Sequence, residues 1–298
     1  MAESLAPARR LRLHVVPESS GVRRPTALRA AFAMSGLLVV VMVAASAMGL
    51  FVPDLYAEGA WAREALRGGD LVTLVLAAPL LLVSLLLSMR GSRRAQAAWV
   101  GMLAYGVYNY AFSTFGATFN DAFALHIAAF SLSVFALACA VPNLDRAAIA
   151  QAFGSARAPR TVGWFLAFVG VAQGGLWLVL LIDNAVTGNV MADIPVSGQH
   201  LVFALDLGLM APSMVIAGVL LARRVPIGSL LGPAMALFGA VYQMNMMLAG
   251  VFQANADVAG VKAFPPEGLF LATLFWLAVA LLFWPRSADR AEGTRVDR

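Results

Sequence analysis

Charge is scarce in this 298-residue chain. Asp, Glu, Lys and Arg make up 12% of it, against about 25% in an ordinary globular domain. Apolar residues reach 61%, and mean hydropathy is +0.80. That balance excludes a soluble domain, a disordered tail or a nucleic-acid binder as the main body. Only one of the 21 basic residues is a lysine, Lys262, and it lies outside every apolar stretch. A retinal Schiff base therefore has no lysine to form on. One cysteine, Cys139, excludes an intrachain disulfide and a thiolate cluster. It sits in an apolar run and reads as a buried, inert thiol. Of three histidines, His14 falls in a polar N-terminal segment, and His126 and His200 lie at different depths, which argues against a bis-His haem. The chain has no Gly-x-x-x-x-Gly-Lys-Ser/Thr loop, no His-Glu-x-x-His helix and no Gly-x-Ser-x-Gly elbow. Those absences remove the common ATPase, zincin and hydrolase chemistries.

What remains is apolar sequence in long runs. About 20 apolar residues cross a bilayer core. Eight stretches qualify: 30–52, 71–89, 97–119, 122–141, 162–182, 201–222, 229–252 and 268–284. Only Asn120 and Asp121 separate the third from the fourth, but their 45 residues are too many for one helix in a bilayer of about 30 Å. The basic residues test the count. Of 21, 18 fall in segments 1–29, 90–96, 142–161, 223–228 and 285–298, and only Arg63, Arg67 and Lys262 fall in the alternate ones. By the positive-inside rule both termini are cytoplasmic. Ala45-Ser46-Ala47 resembles a signal-peptidase site, but the apolar stretch continues to Val52, longer than a typical signal core. The net charge of +5 then reflects arginine at the inner surface of a cell membrane. The Arg- and Ala-rich style suggests a bacterial inner membrane.

The expected fold is an all-α integral membrane protein with eight transmembrane helices and a four-plus-four parallel internal repeat. Ala78-Pro79 and Arg90 recur as Ala211-Pro212 and Arg223, 133 residues on. After one inserted residue, Val107-Tyr108-Asn109 matches Val241-Tyr242-Gln243, and Phe130-x-Leu-x-Val recurs as Phe275-x-Leu-x-Val. Four spans return the chain to its starting side, so the halves must be parallel. The expected organisation is a disordered basic arm at 1–28, helices one to four at 29–141, and a cytoplasmic linker at 142–161. Helices five to eight follow at 162–285, then a cytoplasmic tail at 286–298. Pro79 and Pro212 should kink their helices. Gly170-x-x-x-Gly174 reads as a packing motif.

Ionisable residues inside a span are functional hypotheses by default. Two qualify, Asp206 and His126, at similar depths in the outer half. Asp206 suits coupling to a proton or cation, or charge recognition. His126 suits a metal or haem, or one interhelical hydrogen bond. Tyr108 and Asn109 lie near mid-membrane with their repeat mates Tyr242 and Gln243, and Asn245 follows close by. Facing pairs of tyrosine and amide would offer hydrogen bonds without fixed charge, suited to a neutral polar or amphiphilic ligand, or would tie helices together. Gln173 reads as interhelical glue, and acidic segments 53–70 and 183–200 read as outer loops.

Three functions stay open. The first is a transporter or permease-like protein for a small molecule or ion, with an outward-facing polar site between the halves. The second is an accessory or assembly subunit, whose membrane-protein partner or second copy would pack on a small-residue face. The third is a membrane-embedded redox or metal enzyme, disfavoured by the shortage of nucleophiles and histidines. Besides the lipid bilayer no partner is specified, and no nucleic acid is expected. No cofactor or metal is identified.

Overall fold

The computed structural model describes residues 25–154, 157–188 and 196–284. The arm at 1–24, His14 and the C-terminal tail lie outside them. All regular structure among the described residues is helical. Helix α1 spans Pro25–Phe51 and begins on a proline, whose missing N–H would be unpaired at a helix start anyway. It therefore takes in the last residues of the expected arm. Helices α2 (Ala60–Val72) and α3 (Ala78–Met89) are joined by a π-helical turn at Thr73–Ala77. Helices α4 (Arg93–Gly116), α5 (Phe123–Ala140) and the short α6 (Arg146–Phe153) follow. Helix α7 runs over Arg157–Thr187. Helices α8 (Val196–Leu205) and α9 (Ala211–Ala222) flank a second π-helical turn, Asp206–Met210. Helices α10 (Gly228–Asn255) and α11 (Pro266–Phe283) end the bundle.

Seven of these helical runs are long and apolar enough to cross a membrane: α1, α2–α3, α5, α7, α8–α9, α10 and α11. The chain is thus a polytopic helical membrane protein. Helix α4, the stretch read as a third span, has 24 residues but is not among the seven. Its composition explains why. Tyr105, Tyr108, Asn109 and Tyr110 dilute its apolar content, and most of its side chains are buried against protein. A helix shielded by neighbours need not be greasy all round. Leu37, Val40, Val83, Phe135, Phe168 and Val179, by contrast, expose apolar surface on the outer helices.

The helices pack in two groups. In one, α1 closes against α5, α5 against α4, α4 against α3, and α3 against α1; in the other, α7 packs on α9, α9 on α10 and α10 on α11. Helices α4 and α10 meet in the centre, and α2 leans on α10. Successive connections fall at alternate ends of the bundle. One end carries 90–92, 141–156 and 223–227, with most of the described arginines. The other carries 52–59, 117–122 and 256–265, which hold Asp54, Glu58, Asp121 and Asp257 with Lys262.

Three expected loops are partly helical; within 183–200, α7 runs on to Thr187 and α8 begins at Val196. Within 53–70, α2 begins at Ala60, because Glu64 pairs with Arg63 (2.9 Å) and Arg67 (3.2 Å) and so neutralises the charge that made the segment look like a loop. Within the expected linker, α6 forms behind an Asp145 cap whose carboxylate accepts from Ala148 N at 3.2 Å, and it buries Ile149 and Phe153. Trp99 is fully buried and donates from Nε1 to Ser35 Oγ at 3.0 Å.

The two broken helices share their construction. Each π-helical turn has five residues and ends directly before Ala-Pro. Ala78 N–H reaches Thr73 O, and Ala211 N–H reaches Asp206 O. The wider turn makes room for a proline ring that would clash in a regular helix. Both following helices have 12 residues and stop in the same way. Ser92 N donates to Leu87 O and Val225 N to Leu220 O, each at 3.0 Å, across a left-handed residue, Gly91 or Arg224. These are paired Schellman caps.

Candidate functional site

A cavity of about 620 Å³ lies between the two helix groups. Its walls come from α2, α4, α7, the α8–π turn, α10 and one residue of α11. It occupies the half of the bundle nearer the acidic connections. Six of the seven residues singled out from the sequence line it: Tyr108, Asn109, Asp206, Tyr242, Gln243 and Asn245. The seventh, His126, does not.

Asp206 opens the second π-helical turn and is buried. Three neutral donors hold it. Tyr108 Oη donates to Oδ1 at 2.5 Å, while Gln173 Nε2 (2.9 Å) and Trp177 Nε1 (2.8 Å) donate to Oδ2. Gln173 and Trp177 are four residues apart on α7 and share one face. The tyrosine comes from α4, so the carboxylate ties the two groups together. The Tyr108 and Tyr242 rings meet edge to face at 5.2 Å and 83°, with Phe238 stacked on Tyr242. The two tyrosine motifs therefore face each other across the centre.

A second network lies beside it. Asn245 Nδ2 donates to Asn109 Oδ1 (3.0 Å) and Tyr105 Oη (3.2 Å). Thr73 Oγ1, the first residue of the other π-helical turn, lies 3.2 Å from the same Tyr105 Oη. Thr73 and Asp206 are 133 residues apart, and each bonds a tyrosine of α4.

Asp70 also lines the cavity. From the sequence it reads as an outer-loop acid that could draw cations to an outward mouth or simply face solvent, whereas α2 buries it. Tyr56 Oη donates to its Oδ2 at 2.7 Å. Burial, then the neighbouring Asp70 charge, pushes the Tyr56 hydroxyl above its ordinary pKa, so it stays a donor. Tyr56 also packs 6.5 Å from the His126 ring, and Tyr110 lies 6.2 Å from it on another side. His126 thus sits in the first helix group, behind Asp70 and not beside Asp206. Its Nδ1 has no hydrogen-bond partner among the described residues. No group of three or more His, Cys, Asp or Glu side chains that could hold a metal occurs among the described residues. His200, at the start of the sixth stretch, is exposed.

Tyr56→Phe should destabilise the protein by about 1–3 kcal/mol, because it leaves a buried carboxylate short of its donor. A fluorogenic maleimide reacting with Cys139 on heating would read the loss. An unchanged transition would mean that the Tyr56–Asp70 bond does not hold the 52–59 connection down.

The spacing Trp61, Ala65, Gly69 was the available sign that 60–70 is helical, and Gln173 with Trp177 was the sign of a polar face on α7. Chemically, the cavity offers two carboxylates, several phenol and amide groups, and an otherwise apolar and aromatic wall. No family model matches the chain, and neither a curated protein nor a solved structure matches it.

Proposed function

We propose that the protein is a transporter or permease-like protein of a cell membrane that binds a small amphiphilic molecule in this central cavity. In this reading α4 is an eighth span and both termini are cytoplasmic, so the cavity faces outward. The observation that carries it is Asp206, a buried carboxylate with no cationic partner among the described residues, on a cavity wall at the junction of two helix groups. A buried carboxylate of this kind is costly for a purely structural role. The matching π-helical turns and Schellman caps support a parallel four-plus-four repeat. A ligand site at the junction of repeats is a frequent transporter arrangement. Broken helices at Thr73 and Asp206 also give each half a place to flex.

The assembly reading loses one of its supports. A small-residue face such as Gly170 and Gly174 is what a partner would pack on, but Gly170 turns inward onto α9, where an added Cβ would stand 2.8 Å from Ala211 O.

Alternating access is testable without knowing the ligand. Ala172 lines the cavity. In a Cys139→Ser background, Ala172→Cys should react with a membrane-impermeant maleimide in right-side-out cells and also in inside-out vesicles. Reaction from one face only would sink the transport reading and leave a one-sided binding protein. Ser113→Cys, at another lining position, is the control for local damage.

A further inference from the structure

We infer that the cavity selects a lipophilic organic cation, an ammonium or phosphonium carried on an apolar body, that enters sideways from the lipid. This inference rests on the cavity being the ligand site proposed above, and it adds the ligand's charge and its route.

The charge follows from what lines the wall. Asp70 and Asp206 are both there, on different helices, and among the described residues no Arg, Lys or His lines the space. Arg63 and Arg67, on the same helix as Asp70, are engaged by Glu64. An anionic ligand would meet two carboxylates in a medium that screens them poorly. Asp206 is arranged to stay a receptor for positive charge. Its three donors are a phenol, an amide and an indole, which hydrogen-bond a carboxylate without neutralising it. A carboxylate has about four acceptor sites, so one is left for an ammonium proton or for a purely electrostatic contact.

The body of the ligand follows from the rest of the wall. Trp61, Phe112, Trp177 and Tyr242 line the space along with Tyr108. Aromatic faces attract cations, and more strongly when water is excluded. A volume of about 620 Å³ falls within the usual range for drug-sized ligands.

The route follows from exposure. Phe168, Leu176 and Met246 line the cavity and yet are 71%, 56% and 44% exposed. Two are on α7 and one is on α10, so the cavity opens between these helices on apolar surface of the kind that faces lipid. At Gly175, on the same stretch of α7, nothing lies within 4 Å of an added Cβ. A ligand dissolved in the bilayer could reach Asp206 through this gap without crossing the acidic connections.

Tetraphenylphosphonium and tetraphenylborate have nearly the same size and shape and opposite charges, so they isolate the charge term. Each would be titrated onto the full-length chain in detergent by equilibrium dialysis, with Trp fluorescence as a second readout. The expected result is saturable binding of the phosphonium alone, weakened at least tenfold in Asp206→Asn. If that variant does not fold, Asp70→Asn should still weaken binding several-fold. Leu176→Trp, placed in the gap, should slow phosphonium association. Saturable binding of the borate with none of the phosphonium would overturn the cation assignment and leave a ligand-binding cavity in place. Binding of neither ion would also overturn it, and labelling of Ala172→Cys from both faces would then show that the transport reading survives on its own.

Discussion

Asp206→Ala is expected to lower stability by about 2–4 kcal/mol, and Tyr108→Phe by about 1–3 kcal/mol, as hydrogen bonds to charged groups at buried sites do. The double variant should lose little more than Asp206→Ala alone. Removing the carboxylate orphans three donors at once: Tyr108 Oη, Gln173 Nε2 and Trp177 Nε1. Water in the cavity will recover part of that loss, so it falls short of three separate penalties. An opposing effect is the relief of holding a charge away from bulk water. The donors decide the balance, because they already solvate the carboxylate in the folded chain. A double-mutant cycle isolates the pair, and a coupling of about 1–2 kcal/mol is the expected value for residues in direct contact. Thermal unfolding followed through Cys139 would measure all four proteins. Fully additive losses would mean that Tyr108 and Asp206 do not meet in the folded chain. Asp206→Asn should retain more stability than Asp206→Ala, since its carbonyl oxygen still accepts. It is therefore the better variant for testing ligand charge.

The residues of this site differ in how visible they were beforehand. Asp206 stood out because a lone acid interrupts an apolar run. Tyr108 and Tyr242 stood out because they recur in matched surroundings, and the structure brings their rings to 5.2 Å. Asp70 was hidden by its neighbours. Arg63, Glu64, Arg67, Gly68 and Gly69 look like a solvated turn when read singly. In three dimensions Glu64 absorbs both arginines, and Gly68 lets α2 approach α10 so closely that an added Cβ would stand 2.6 Å from Ala249 Cα. Those are tertiary facts with no local trace. The same holds for His126. Its burial could be foreseen from its place in a span, but its company of Tyr56 and Tyr110 could not. Helix α4 shows the complementary effect. The polar side chains that build the candidate site are the ones that dilute its apolar character, so α4, at the centre of that site, is the long helix left out of the seven apolar runs.

The largest structural effect should come from placing a side chain at the α7–α9 contact. Gly163 and Gly218 face each other there. A Cβ on Gly218 would lie 2.5 Å from both Ala167 N and Gly163 O, and one on Gly163 would lie 2.5 Å from Ala222 N and 2.6 Å from Gly218 O. All of these are backbone atoms, so no rotamer change relieves the clash, and the helices themselves must separate. Overpacking in ordinary cores costs about 1–3 kcal/mol. Gly218→Val should reach or exceed the top of that range. Helix α7 carries Gln173 and Trp177, so its displacement should also break two of the three bonds to Asp206 and weaken ligand binding. Gly175→Ala, on the partner helix α7, is the control. It meets open space, and the gain in helix propensity of up to about 1 kcal/mol should leave it neutral or slightly more stable. Unfolding curves for the two variants would therefore move in opposite directions, or one would stay still. Equal losses in both would mean that α7 and α9 are not in backbone contact at Gly218, and that Asp206 is held by something other than the fixed position of α7. The spacing Gly170-x-x-x-Gly174 marks this helix, yet at Gly174 an added Cβ would meet only a side-chain atom, Ala211 Cβ at 3.3 Å. The closest approach lies about three turns away, where Gly163 and Gly218 each meet the other helix's backbone. Small-residue spacing therefore finds the face that packs, while the position that cannot change is set by where the two helix axes cross.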